Sequence, residues 1–107
     1  MNDFQTDIIK MIFMIKKKPC MFLNQKSISK LKCFLDGFAA GYSFPNVNSF
    51  LPTFQEYIEA KYKCVLTISW SKILISQTEN EEKAFDLFFE ELEAFLKENN
   101  IEIPEIK

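Results

Sequence analysis

Along most of this chain, apolar residues recur at the three- and four-residue spacing of α-helices. The spacing predicts helices over residues 3–18, 27–42, 50–63 and 79–98, with a fifth, short helix over residues 69–76. We therefore expect residues 1–107 to form a single all-α domain of about five helices. The β-branched residues within residues 65–76 leave one alternative open, an α+β fold with short strands there.

The first and last predicted helices have the strongest apolar patterns. In the first, apolar side chains nearly surround the axis, which predicts deep packing. They are Ile8, Ile9, Met11, Ile12, Phe13 and Ile15. In the last, they form one stripe consisting of Phe85, Phe88, Phe89, Leu92, Phe95 and Leu96. Thr78 and Glu81 match a capping box for this helix, and Asn99 and Asn100 are typical of its end.

The second predicted helix has a clear start and two unusual glycines. Ser27 is a good N-cap residue just before the apolar positions begin. Gly37 and Gly41 lie one turn apart beside the apolar face and together cost about 1–2 kcal/mol relative to alanine. We interpret them as a place where another helix approaches closely.

The length of 107 residues, the hydrophobic content of 48% and the twelve Phe predict one domain with a substantial core. The three cysteines, Cys20, Cys33 and Cys64, form no CxxC or zinc pattern. We interpret them as buried free thiols of a cytoplasmic protein. The apolar run at residues 8–15 is about half the length needed to cross a membrane, so no membrane association is expected.

The chain contains neither histidine nor arginine. Histidine is the usual proton shuttle at neutral pH, and arginine is the usual fork for phosphate and carboxylate groups. No cysteine or serine can therefore be activated by a histidine, and the clustered acids lack the loop pattern of a calcium site. The sequence predicts a protein that is not an enzyme and uses no cofactor or metal.

Charge is distributed unevenly along the chain. Residues 1–63 carry nine lysines against five carboxylates, whereas residues 64–107 carry four lysines against ten carboxylates. The net charge is −2, but the two halves have charges of +4 and −6. Such an asymmetry can steer the approach of a charged partner.

Four carboxylates of the last helix share one face. Glu82, Asp86, Glu90 and Glu93 lie within about 80° of one another on a helical projection, beside the Phe stripe. We call these four residues the carboxylate ridge; Glu79 precedes it. The ridge is either an ordinary solvated face or a docking surface for a basic protein, such as one that binds nucleic acid.

Amphipathic aromatic residues could supply the buried centre of such an interface. Tyr57 and Trp70 are the candidates, because aromatic residues of this kind are enriched at binding hot spots. The alternative for both is core packing, with the polar tip hydrogen-bonded.

A lysine cluster in the first half of the chain supports a rival hypothesis. It consists of Lys16, Lys17, Lys18, Lys26, Lys30 and Lys32. These residues could bind nucleic acid or anionic lipid, or could merely complement the C-terminal end of a helix dipole. The acidic total and the lack of arginine make nucleic acid the less favoured partner.

A series of short motifs resembles a family of bacterial immunity proteins. The motifs are Lys18-Pro19-x-Met21-Phe22-Leu23, Ser27-Ile28, Phe34-Leu35-Asp36-Gly37-Phe38, Phe54-x-x-Tyr57-Ile58, Lys61-Tyr62, Ser69-Trp70 and the run Ala84 to Phe89. Their order is similar to that in small proteins of contact-dependent growth inhibition loci. The resemblance implies a cytoplasmic protein that binds and neutralises one cognate toxin domain, often a nuclease. Binding residues in such proteins vary with the toxin, so none is transferred.

Residue chemistry and resemblance together predict an immunity protein that binds a basic toxin domain. Its predicted contact residues are Glu79, Glu82, Asp86, Glu90, Glu93, Tyr57 and Trp70. A nucleic-acid-binding regulator or a small adaptor that uses the lysine-rich half is the alternative.

Overall fold

A computed structural model describes residues 3–42, 51–64 and 68–103. Within these ranges the chain forms six helices and no strand. The helices are α1 (Asp3–Lys17), α2 (Pro19–Leu23), α3 (Ile28–Tyr42), α4 (Leu51–Lys61), α5 (Trp70–Ser76) and α6 (Glu81–Glu98). The all-α prediction is confirmed. In the segment where strands were the alternative, the structure has helix α5; residues 65–67 of that segment lie outside the described residues.

Helix α6 is the centre of the bundle because its Phe stripe contacts several other helices, including α1 through the rings of Phe13 and Phe89. It packs against α3, α4 and α5, while α1 packs against α2 and α3. All six residues of the predicted stripe in α6 are buried, as are five of the six apolar residues predicted for α1; the sixth, Met11, is half-buried, and Met14 of α1 is exposed. Both stripes are confirmed, and their burial fixes the rotation of α1 and α6 about their axes.

Aromatic rings join α4, α5 and α6 at the middle of the core. The ring of Phe54 lies 5.8 Å from Trp70, 5.6 Å from Phe88 and 5.4 Å from Phe95, measured between centroids. All three pairs have edge-to-face geometry, which is an arrangement that aromatic rings prefer. These contacts fix the position of α6 relative to α4 and α5.

The short helix α2 was not predicted. Pro19 follows the end of α1 and occupies the first position of α2, where its missing N–H costs nothing. Asn24 closes α2 in the left-handed conformation, with φ of 71°. A five-residue helix is too short to show a helical period, so the sequence pattern could not reveal it.

The start of α3 depends on α6. The Ser27 hydroxyl accepts from the Lys30 N–H at 3.2 Å, which confirms the predicted N-cap. The capping box at Thr78 is wrong: Asn80 caps α6 by accepting from the Lys83 N–H at 2.8 Å. Glu81 instead accepts from the Ser27 hydroxyl at 2.9 Å and from the Ser29 N–H at 2.9 Å. It therefore ties the N-terminus of α3 to α6.

Electrostatics at Glu81 favour the charged carboxylate. Burial opposes ionisation of this group, but hydrogen bonds from the Ser29 N–H and hydroxyl and from Ser27 outweigh it and lower the pKa of Glu81. The cluster is thus a charge-assisted helix cap between two elements far apart in sequence.

Gln55 of α4 fixes the start of α5. Its side-chain oxygen accepts from the Trp70 N–H at 2.6 Å, and its amide donates to the Ile68 carbonyl at 2.9 Å. These bonds satisfy backbone groups at the beginning of a helix, where no intrahelical partner exists.

The interpretation of Gly37 as a close helix contact is wrong. Gly37 is exposed, and a Cβ atom added there would meet nothing within 4 Å. The surroundings of Gly41 lie outside the described residues.

None of the three cysteines is in a disulfide, and the prediction that they are buried is wrong. Cys20 and Cys33 are exposed, and Cys64 is half-buried. Among the described residues, no helix is long and apolar enough to cross a membrane.

Candidate binding surface

The carboxylate ridge lies on the outer face of α6. Glu82, Asp86 and Glu90 are exposed, and Glu93 is half-buried. Because the Phe stripe is anchored in the core, the ridge cannot rotate inward without unpacking the bundle. The sequence prediction that these four carboxylates share one accessible face is confirmed in geometry.

The lysine-rich half does not form a separate pole, however. The Lys16 ammonium at the end of α1 lies 2.5 Å from a Glu93 carboxylate oxygen. The Lys26 ammonium, between α2 and α3, lies 2.8 Å from an Asp86 oxygen. The predicted positive and negative surfaces are therefore adjacent, and half of the ridge is already paired.

The hydrogen bond to Asp86 raises the pKa of Lys26, against the opposing effect of burial. Asp86 and Glu82 add a favourable Coulomb interaction. By contrast, Glu82 and Glu90 make no ion pair with any residue that the structure describes. The ridge thus alternates between unpaired carboxylates and carboxylates paired across helices.

The two paired lysines also lie over aromatic rings. The Lys16 ammonium is 5.7 Å from the centroid of Phe89, and the Lys26 ammonium is 5.9 Å from that of Phe85. Between them runs a groove of about 330 Å³. Its lining is Lys16, Pro19, Lys26, Phe85, Asp86, Phe89, Glu90 and Glu93. We call this feature the α6 groove.

A second, more apolar depression adjoins the ridge at the C-terminal end of α6. It has a volume of about 460 Å³ and is lined by Glu93, Ala94, Lys97, Ile101 and Ile103. Ile103 is one of the few large apolar side chains that are exposed among the described residues. Glu93 lines both depressions, so charged and apolar surfaces are continuous here.

The structure separates the other predicted contact residues from the ridge. Glu79 precedes α6 and pairs with Lys83 at 2.8 Å. Tyr57 is half-buried against Phe95, at 5.3 Å between centroids, on the opposite flank of α6. Trp70 is only 5% exposed and packs in the core, so its assignment as a partner contact is corrected.

Sequence analysis missed a second carboxylate site on that opposite flank. Glu91 is 4% exposed, accepts a hydrogen bond from the Tyr62 hydroxyl and lies 2.5 Å from the Lys61 ammonium. Burial, followed by the Glu91 hydrogen bond, raises the pKa of Tyr62. Glu91 lies three residues after Phe88 and four before Phe95, so its spacing places it beside the apolar stripe. This spacing could have indicated a buried carboxylate, although Glu91 is not part of the carboxylate ridge.

The described residues contain no group of three or more metal-ligating His, Cys, Asp or Glu side chains. Comparisons with known protein families, with curated proteins and with solved structures found no match. The resemblance to immunity proteins therefore stays a prediction. The geometry offers a charged, partly apolar surface on a rigid helix, which is suited to binding.

Proposed function

We propose that this chain is an immunity protein that binds and neutralises a basic toxin domain through the outer face of α6. The observation that carries the proposal is the carboxylate ridge, held outward on a helix whose other face is the centre of the core. The backbone that carries the ridge is already fixed by the core, so docking of a partner requires little ordering of the backbone.

The exposed carboxylates would act mainly on the rate at which a partner associates. Glu82 and Glu90 have no internal ion pair among the described residues and project into solvent. Exposed charges of this kind raise association rates more than they raise affinity. We assign them the role of attracting and orienting a cationic partner.

The apolar centre of the interface would lie at the C-terminal end of the ridge. Ala94, Ile101 and Ile103 form an apolar depression next to Glu93. Burial of apolar side chains inside a polar rim is the usual source of affinity at protein interfaces. These residues replace Trp70, which is buried, as the proposed anchor contacts.

The rival function, nucleic-acid binding by the lysine-rich half, has less support. Lys16, Lys26 and Lys32 are paired with Glu93, Asp86 and Asp36, respectively. Half of the cluster is thus already neutralised by carboxylates that would repel a phosphate backbone. A fluorescent DNA or RNA duplex should show no retention at low salt, whereas salt-dependent retention would favour the rival.

The proposal is tested by co-expression with the product of the gene immediately upstream. We expect growth rescue from a toxic product and a complex that survives purification. Glu82→Lys/Glu90→Lys should weaken rescue, whereas Glu56→Lys/Glu98→Lys, with the same change in net charge away from the ridge, should not. An upstream product that is harmless, or toxic but neither bound nor rescued, would contradict the proposal.

A further inference from the structure

The α6 groove already contains two cationic side chains, and neither comes from α6 itself. Lys16 is supplied by α1 and Lys26 by the segment before α3, yet both reach carboxylates of the ridge and both lie over a Phe ring. Each lysine thus occupies the position that a basic side chain of a docked partner would need.

We infer that Lys16 and Lys26 are internal occupants of the α6 groove, which a partner's arginine side chains displace on binding. This inference rests on the proposed function and adds the chemistry of the partner and a step of ion-pair exchange. Asp86 and Glu93 would release their lysines and accept guanidinium groups in their place.

Arginine is the better ligand for this arrangement. A guanidinium group can donate two parallel hydrogen bonds to one carboxylate, whereas a lysine ammonium is a single point charge. The chain itself contains no arginine, so no internal residue can make this geometry. Arginine therefore distinguishes a partner from the internal occupants.

The internal pairs are suited to exchange because they are exposed. The Lys16 and Glu93 side chains are 46% and 40% exposed, and those of Lys26 and Asp86 are 34% and 55% exposed. Solvent-exposed pairs of this kind are weak. Opening them leaves the Phe stripe beneath in place, and Glu90, which lines the groove and makes no ion pair within the described part of the chain, can make the first contact.

A hepta-arginine peptide is the first probe. Lys16→Gln/Lys26→Gln should bind it about threefold to tenfold more tightly than wild type, because two competing exposed pairs are removed. Lys30→Gln/Lys32→Gln, which has the same net charge and also releases a carboxylate, should change affinity by less than about twofold. Isothermal titration calorimetry at low salt measures both.

The possible results separate the inference from the proposed function. Equal enhancement by the two double variants would show an effect of net charge alone and overturn the inference, leaving the ridge as a binding surface. Absence of peptide binding by wild type and by both variants would contradict the inference and also the proposed role of the ridge as a binding surface. Binding by Lys16→Gln/Lys26→Gln alone would support displacement strongly.

Lysine footprinting tests displacement without any mutation. Acetylation of Lys16 and Lys26, followed by mass spectrometry, should become faster when hepta-arginine is added, because both amines are released. Lys32, paired on α3 away from the groove, is the control and should not change. Slower acetylation at Lys16 and Lys26 would mean that the peptide covers the lysines rather than displaces them, and unchanged rates would mean that it binds elsewhere; either result overturns the inference.

Discussion

The two flanks of α6 use carboxylates in opposite ways. On one flank, Asp86 and Glu93 are paired with lysines at the surface, where water competes for both charges. On the other, Glu91 is buried and receives the Tyr62 hydroxyl and the Lys61 ammonium. The comparison teaches that burial, not residue type or position in one helix, separates a structural carboxylate from one available to a partner.

The largest expected effect is the loss of Glu91. Glu91→Ala should lower the free energy of unfolding by about 2–4 kcal/mol, because the half-buried Tyr62 hydroxyl and the half-exposed Lys61 ammonium lose their buried acceptor. Glu90→Ala, one residue away on the ridge side, should change it by less than about 0.5 kcal/mol. Urea denaturation compares the two, and equal losses would erase the distinction between the flanks.

An intermediate effect is expected at alkaline pH. Burial and the Glu91 bond raise the pKa of Tyr62 above its ordinary value of 10.0, and burial raises the pKa of Tyr57 in the same direction. The hydrogen bond to Glu91 likewise raises the pKa of Lys61. The folded state therefore retains protons that the unfolded state loses. The contribution of these groups to the free energy of unfolding is fully present below about pH 10 and is lost as the pH rises further.

Removing the phenol hydroxyl tests this assignment. Tyr62→Phe should cost about 1 kcal/mol at pH 7 and make the decline above pH 10 shallower. Glu82→Gln, on the ridge, should keep the wild-type slope, because Glu82 does not contribute to the raised pKa of Tyr62, Tyr57 or Lys61. A wild-type slope in Tyr62→Phe would place the alkaline sensitivity elsewhere in the molecule.

The smallest effect is expected from the ridge pairs. Lys16→Gln/Lys26→Gln should change the free energy of unfolding by less than about 1 kcal/mol, because exposed ion pairs contribute little. The midpoint of thermal unfolding, followed by circular dichroism, is a sufficient measurement. A loss as large as that of Glu91→Ala would make these pairs structural and remove the basis for exchange at the groove.

The local pattern of apolar residues predicted most of the helices, but it did not predict which charged residues of different helices form ion pairs. The Phe stripe of α6 and the apolar surface of α1 follow directly from residue spacing, since burial enforces it. The pairing of Lys16 with Glu93 depends instead on how α1 crosses α6, which no local period encodes. The sequence therefore predicted two separate charged surfaces where the fold places them side by side.

Single residues were misassigned where two structures fit the same signal. Thr78 and Asn80 both belong to residue types that cap helices, and the hydrogen bond from the Lys83 N–H identifies Asn80 as the cap. Trp70 fitted a hot spot as well as a core position, and its contact with Phe54 decides for the core. Gly37 suggested a close helix approach, yet it faces open space.

The most direct test of the account is the rate of association with the upstream gene product, measured by surface plasmon resonance at low and at high salt. For Glu82→Lys/Glu90→Lys, we expect association to be slowed about tenfold or more at low salt, and this difference to shrink at high salt, with the fold unchanged. Glu56→Lys/Glu98→Lys should associate at close to the wild-type rate. Equal rates for wild type and both variants at low salt would contradict the claim that the ridge is the binding surface.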